Sequence, residues 1–293
     1  MPTPQRILLA TDFSDAAQRA RDHALHLARR YGAALHVLHV AEVTDVFFEA
    51  DESLRRRLQD QMETLFDGED LDDVSLTRTI ERGEVAAEGI LHYAEEHAID
   101  LVVLGTHGRR GLRRMVMGSV ATEVVRHATC PVLAVREHDR PFPEEEVDGI
   151  LVPLDLSETS RDALPYAKDL ATQYDGTRLH LLHVFEDLDL PPIYGDVHNP
   201  LLNAFPEIRE TVQGQMEQWV DEAGGPDVPV TIQVETGPSV GTILDYIEAH
   251  GIDLVVLTTH GRSGLERFLL GSVAERVMRR APCPVYIIPS FAE

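Results

Sequence analysis

Gly105-Thr106-His107-Gly108, nine further residues, and then Gly118-Ser119 form the stretch that decides the fold. An apolar run of strand length, Leu101 to Leu104, leads into it, and a helical run, Val120 to His127, leads out. A glycine-rich turn between a buried strand and a helix is where α/β proteins hold anions. Glycine tolerates positive φ and lets a backbone come close to a ligand, while the helix start offers unpaired N–H groups at the positive end of a dipole. Between Gly105 and Ser119 stand Arg109, Arg110, Arg113 and Arg114 and no carboxylate, in a chain with 50 acidic residues. That local reversal of charge points to an anionic ligand. The stretch then recurs: Thr258-Thr259-His260-Gly261, nine residues, and Gly271-Ser272 repeat it 153 positions later, with Thr258 replacing the first glycine.

Outward from these two stretches the halves read alike. Arg6 to Thr11 and Gly149 to Leu154 are first strands, followed by Asp12 with Ser14 and by Asp155 with Ser157, serines suited to start a helix. The first helices carry apolar stripes at Ala20, Ala24, Leu27, Ala28 and at Ala163, Ala167, Leu170, Ala171, and should stop at Gly32 and Gly176. Leu35 to Val40 and Arg178 to Val184 are second strands, Val74 to Ile80 and Val228 to Val234 third strands. Helices Val85 to His97 and Val240 to His250 lead into the fourth strands, and Val132 to Val135 and Val285 to Ile288 close each half. The second half carries an extra acidic, proline-containing stretch, 186–200.

A β-α alternation given twice predicts two tandem, doubly wound, parallel five-stranded sheets of the α/β class, each of order 3-2-1-4-5. The expected domains are residues 1–140 and 147–293, joined around Glu137 to Val147, where Pro141, Pro143 and three glutamates stand. Strands one and four then flank the switch point, so that Asp12 with Gly105, and Asp155 with Thr258, border one crevice per domain.

Composition bounds the partners. The formal charge is −24, with one lysine, Lys168, against 25 arginines. An excess of carboxylate this large excludes the basic footprint that nucleic acids and anionic membranes require, and reads as a solvated acidic surface of the salt-adapted kind. The start has no apolar signal region and no run suffices to span a bilayer, so a soluble, cytoplasmic protein is expected. Cys130 and Cys283, at matching places in the repeats, read as buried thiols. His36/His39 and His180/His183 are three apart on strands, hence on opposite faces, and cannot chelate one ion together; core or edge histidines are expected.

Taken together, these residues resemble the universal stress protein family in its tandem two-domain form, over nearly the whole chain. Nucleotide-binding members of that family carry Gly-x2-Gly-x9-Gly-Ser/Thr after strand four, matched here by Gly105, Gly108, Gly118 and Ser119. The resemblance implies that these residues receive the phosphates of ATP (or of ADP or AMP), with Mg²⁺ held through the phosphates; His107, Arg109 and Val120 stand beside them as further candidates, with loop structuring the alternative for His107 and pairing with carboxylates the alternative for Arg109. It implies that Asp12 holds the ribose and that the backbone of Val40 meets adenine. Ala10 stands where the family often has a proline packing on the base; the second repeat keeps Pro153 there. In that repeat Asp155, Val184, Gly261, Gly271 and Ser272 match, while Thr258 departs. If its position required positive φ or a close approach of phosphate, a β-branched side chain would be costly and the second site weakened.

Asp12 and Asp155 also have a plainer reading as helix caps, which can coexist with ribose binding. No Walker loop, Gly-x-Ser-x-Gly elbow or His-Glu-x2-His helix is present, and no catalytic residue is named. The expectation is an adenine-nucleotide-binding stress sensor or regulator. A nucleotide-free interaction module of the same fold and a slow ATP hydrolase are the alternatives. The apolar last strands would be sheet edges, and their pairing would make the chain an internal pseudo-dimer; a homodimer of chains is carried beside it.

Overall fold

Ile7, Leu8 and Leu9 have no solvent exposure at all, because the strand that holds them, β1 (Arg6–Ala10), runs through the middle of a sheet covered on both faces. The computed structural model describes residues 3–42, 52–106, 118–139, 147–186, 206–259 and 270–290. The chain divides into two units that part between Glu144 and Glu145. In the first, β1 is flanked by β2 (Ala34–Glu42) and β4 (Leu101–Gly105), with β3 (Leu76–Gly83) beyond β2 and β5 (Val132–Val135) beyond β4, all parallel. In the second, β6 (Gly149–Pro153) lies between β7 (Arg178–Phe185) and β9 (Leu254–Thr258), with β8 (Val230–Thr236) and β10 (Val285–Ile288) outermost, again all parallel. Each unit thus has the order 3-2-1-4-5 in its own strands, as the alternation predicts.

The helices form where their stripes and caps dictate. Ahead of α1 (Asp15–Tyr31), Ser14 is extended and its Oγ accepts the Ala17 N–H at 3.3 Å; behind it, Gly32 turns left-handed (φ 61°) and donates its N–H to the carbonyls of Ala28 and Arg29. The stripe Ala16, Ala20, Ala24, Leu27, Ala28 is buried against the sheet. Among the described residues of this unit, α2 (Glu52–Glu63), α3 (Ala86–Glu96) and α4 (Ser119–His127) follow. The N-termini of β1 and β4 are tied by Asp100, whose Oδ2 accepts the N–H groups of Gln5 and Arg6 at 2.8 and 2.9 Å. Asp253 does the same for Asp148 and Gly149 in the second unit.

In the second unit the first helix departs from expectation. It is broken into α5 (Glu158–Arg161) and α6 (Ala163–Thr172), and Gly176 (φ 82°) lies in the turn beyond rather than at its end. Pro165 accounts for the break: it has no N–H for the Arg161 carbonyl, and its ring crowds that carbonyl. Among the described residues of this unit, α7 (Pro206–Glu222), α8 (Ser239–His250) and α9 (Ser272–Arg280) follow. Both third strands begin two residues later than their apolar runs do. Val74 donates to Leu71 in a turn, and the carbonyl of Ser75 is the first to meet β2; in the second unit Pro229 has no N–H to enter a ladder.

A backbone contrast between the repeats yields a stability prediction. Ala98, just past α3, has φ 47°, whereas the matching residue past α8 is Gly251, with φ 63°. An alanine in this region is strained and a glycine is not. Ala98→Gly is expected to stabilise the chain by about 1 kcal/mol, read as a raised urea midpoint; an unchanged or lowered midpoint counts against strain at Ala98.

Candidate functional site

Ala10 lies beside Leu104 in the β1–β4 pair, and the chain leaves these neighbouring strand tips in opposite directions, through α1 toward β2 and through α4 toward β5. A crevice opens between such diverging connections. Asp12 stands on one side of it, half-buried, with Oδ1 accepting the Ser14 N–H at 3.0 Å. Asp155 does the same with Ser157, receiving its N–H at 3.0 Å and its hydroxyl at 2.6 Å. The caps of α1 and α5 are Ser14 and Ser157, not the aspartates, so the plainer reading of Asp12 and Asp155 as helix caps is corrected: each closes a turn on its own chain two residues on. Between aspartate and serine the backbone is strained in both units, at Phe13 (φ 61°) and Leu156 (φ 64°).

On the facing side, Gly105 ends β4. A Cβ there would lie 2.8 Å from the Ala16 carbonyl carbon and 2.9 Å from the Ala17 nitrogen, so the glycine lets the strand tip meet the first turn of α1 backbone to backbone. Positive φ is not the reason for it. Neither Gly105, Gly118 (φ −62°) nor Gly271 (φ −57°) has a left-handed backbone, and Thr258 sits in ordinary strand geometry at the end of β9. The expectation that a β-branched residue at 258 is costly through positive φ is therefore corrected, since extended backbone suits threonine.

Beyond Gly105 the chain returns to the same spot. Thr106 donates its N–H to Val135 at 2.8 Å, and its carbonyl accepts the Gly118 N–H at 2.8 Å. Thr259 and Gly271 repeat the bond at 2.7 Å. The Gly118 amide is thus occupied by main chain, and the amides directed out of α4 begin at Ser119. Ser119 is exposed and Val120 half-buried, and Gly118 offers the helix no side-chain cap; α9, behind Gly271 and Ser272, is likewise uncapped. The N-terminal amides of these helices are what an anion could occupy. His107, Gly108, Arg109 and Gly261, together with His260, lie outside the described residues.

Val40, near the end of β2, is buried, its Cγ atoms filling the space left by Gly83 at the end of β3 and Gly89 in α3. Val184 is half-buried at the matching place in β7; Ala10 is buried and Pro153 half-buried at the ends of the first strands. The structure thus gathers Ala10, Asp12, Gly105, Gly118, Ser119 and Val120 about the carboxyl ends of β1 and β4, with Val40 one strand away.

Some of what shapes this end of the sheet was not assigned a role from sequence. His39 Nδ1 lies 2.8 Å from the Thr11 carbonyl, and His183 Nδ1 lies 2.7 Å from that of Leu154. The strand pattern Leu-His-x-Leu-His-Val, present in both halves, held the signal. Its other histidines, His36 and His180, bind the hydroxyls of Tyr93 and Tyr246 at 3.0 and 2.9 Å. Burial pushes the Cys130 thiol up to about 12, an inert, protonated sulfur. Among the described residues no cluster of metal-binding side chains occurs, and no helix is long and apolar enough to cross a membrane.

The model of the Universal stress protein family matches this sequence twice, over residues 3–136 and 146–289. The chain belongs to the universal stress protein family. Universal stress protein Rv2005c of Mycobacterium tuberculosis is 32% identical over 189 residues, which are 64% of this chain and 61% of that protein. The match therefore spans under two thirds of the relative's length. A universal stress protein of known structure from Archaeoglobus fulgidus superimposes with a TM-score of 0.64, covering 97% of this chain and 98% of that one at 21% identity, a likeness of fold. Another universal stress protein has been solved in complex with cAMP. It matches 49% of this chain at 20% identity with a TM-score of 0.36, too distant to argue for a ligand here.

Proposed function

We propose that the chain is an adenine-nucleotide-binding regulator, with ATP as the ligand and Mg²⁺ carried on its phosphates. The observation that supports this best is a coincidence found in both units: a turn-held aspartate and an uncapped helix start meet at neighbouring strand tips. A nucleotide needs this pairing, a carboxylate to accept from ribose hydroxyls and free amides to donate to phosphate. In this reading Asp12 takes the ribose, Ser119 and Val120 with Gly105, His107, Gly108 and Arg109 face the phosphates, and the Val40 main chain lies toward the base. Asp155, Val184, Gly261, Gly271 and Ser272 form the second site. The first is the tighter one, because four arginines stand in its loop against Arg262, Arg267 and the opposing Glu266 in the second. Bound Mg²⁺ would neutralise phosphate charge, and the chain's own part is to bind and orient.

Calorimetric titration with ATP, ADP, AMP and cyclic AMP, with and without Mg²⁺, tests the reading. Asp12→Ala and Gly118→Val are each expected to weaken ATP at the tight site at least tenfold, about 1.4 kcal/mol, while Asp155→Ala removes only the weaker event. Absence of heat or thermal protection from every nucleotide would leave the interaction-module reading in its place. Phosphate release that vanishes in Asp12→Ala or His107→Ala but persists in a binding-competent control would instead make the chain a hydrolase.

A further inference from the structure

The β1–β2 ladder ends with Ala10 opposite Leu38, followed by one last main-chain bond from Thr11 N–H to the Leu38 carbonyl at 2.9 Å. The next carbonyl, that of Thr11, belongs to the peptide that leads into Asp12, and the imidazole of His39 binds it. A carbonyl can only accept, so Nδ1 is the protonated nitrogen and the tautomer is set. The second unit repeats every part: Leu154 N–H meets the Leu182 carbonyl at 2.8 Å, and His183, 4% exposed, donates to the Leu154 carbonyl.

From these pairs we infer that His39 and His183 are positioning residues, which hold the Asp12 and Asp155 turns in the form that receives a ligand. The inference rests on the nucleotide reading for what that ligand is. The physical need for such a hold lies in the next residue. A phenylalanine or leucine at φ near 60° costs on the order of 1–2 kcal/mol and persists only where its surroundings over-determine it.

Three bonds common to both units do so in sequence, and in the first unit the Thr11 hydroxyl also accepts the Phe13 N–H at 3.0 Å. The histidine fixes the peptide before the aspartate; the aspartate Oδ1 accepts from the serine N–H; the serine Oγ accepts from the first turn of the helix, at Ala17 or Ser160. Of these three bonds, the histidine's is the one that comes from a neighbouring strand. In the first unit it is itself packed under the strained residue, Phe13 and His39 having ring centroids 4.8 Å apart, and Phe13 rests on Ala41 and Leu58. In the second unit Phe185 packs edge-on against His183 at 4.6 Å instead. The partners of the ring differ between the repeats, but the bond to the carbonyl does not.

The test compares His39→Leu, which keeps bulk and loses the donor, with His39→Asn, whose amide nitrogen can stand in place of Nδ1. Both are made in the full chain and read by amide hydrogen exchange across residues 11–17 and by Mg²⁺-ATP titration. In His39→Leu the Phe13 and Ser14 amides should exchange at least tenfold faster and ATP should bind at least fivefold more weakly, and His39→Asn should recover most of both. Unchanged exchange in the leucine variant overturns the proposed hold on the turn. Faster exchange with unchanged affinity overturns its link to the ligand. If the native chain binds no nucleotide, the functional reading fails and the exchange data alone decide whether the imidazole holds the turn. Should the leucine variant not fold, the nitrogen-15 spectrum of the native histidine decides: a proton on Nε2 in place of Nδ1 overturns the assignment.

Discussion

Gly105→Val should unfold the first unit well before the second. The new Cβ would meet the Ala16 carbonyl carbon and the Ala17 nitrogen at 2.8 and 2.9 Å, both backbone atoms of a helix whose buried alanines leave it no room to retreat. Overpacking against main chain is at the costly end of such changes, about 3 kcal/mol. The chain supplies its own means of telling the units apart, since its one tryptophan, Trp219, lies in α7 of the second unit and is buried. In urea, loss of far-ultraviolet circular dichroism should begin early in the variant, while the Trp219 fluorescence transition stays near its native midpoint. Coincident transitions at the native midpoint would mean that the close approach at Gly105 is readily relaxed. Thr258→Val, at the matching place in the second unit, should cost far less.

Acid should also act on the first unit, through His23. This residue sits on the buried face of α1 with no exposure; burial, and then the neighbouring charges of Arg19 and His26, depress its pKa to about 3. The unfolded chain takes up that proton near pH 6.5, while the folded chain resists it until about pH 3. The stability tied to this difference is whole above pH 6.5 and drains away as pH falls toward the folded value. Its full size is on the order of 4 kcal/mol. His26, also depressed by burial, to about 4, adds in the same direction. His23→Leu is expected to remove most of His23's share, leaving a visibly flatter urea midpoint between pH 6.5 and 4 by circular dichroism. Tyr166 holds the corresponding helical place in the second unit, so the Trp219 transition should respond less to acid. An equal slope with pH in native and variant chains would refute the assignment.

What could be read from the sequence was whatever depends on local pattern and on the constraints of connection. The strand order followed from alternation and short crossovers, the start of α1 from Ser14, and its end from Gly32. What escaped depends on contacts between segments far apart in the chain. Gly105 looks like a loop glycine until α1 is placed against it. Phe13 and Leu156 give no sign of a left-handed backbone, because neither residue type favours one; it comes with the turn that Asp12 or Asp155 closes. The regular stripe of the second unit's first helix reads as one continuous helix, and Pro165 divides it. The candidate site was legible as two glycines and an aspartate, while the carbonyl that occupies the Gly118 amide was not.

That last bond has an engineering consequence. Thr106 with Gly118, and Thr259 with Gly271, each bring the two ends of an eleven-residue stretch to one hydrogen bond, at 2.8 and 2.7 Å. Because that closing bond is the same in both units, an exchange of residues 107–117 with 260–270 keeps the length between the bonded ends and moves four arginines from one repeat to the other.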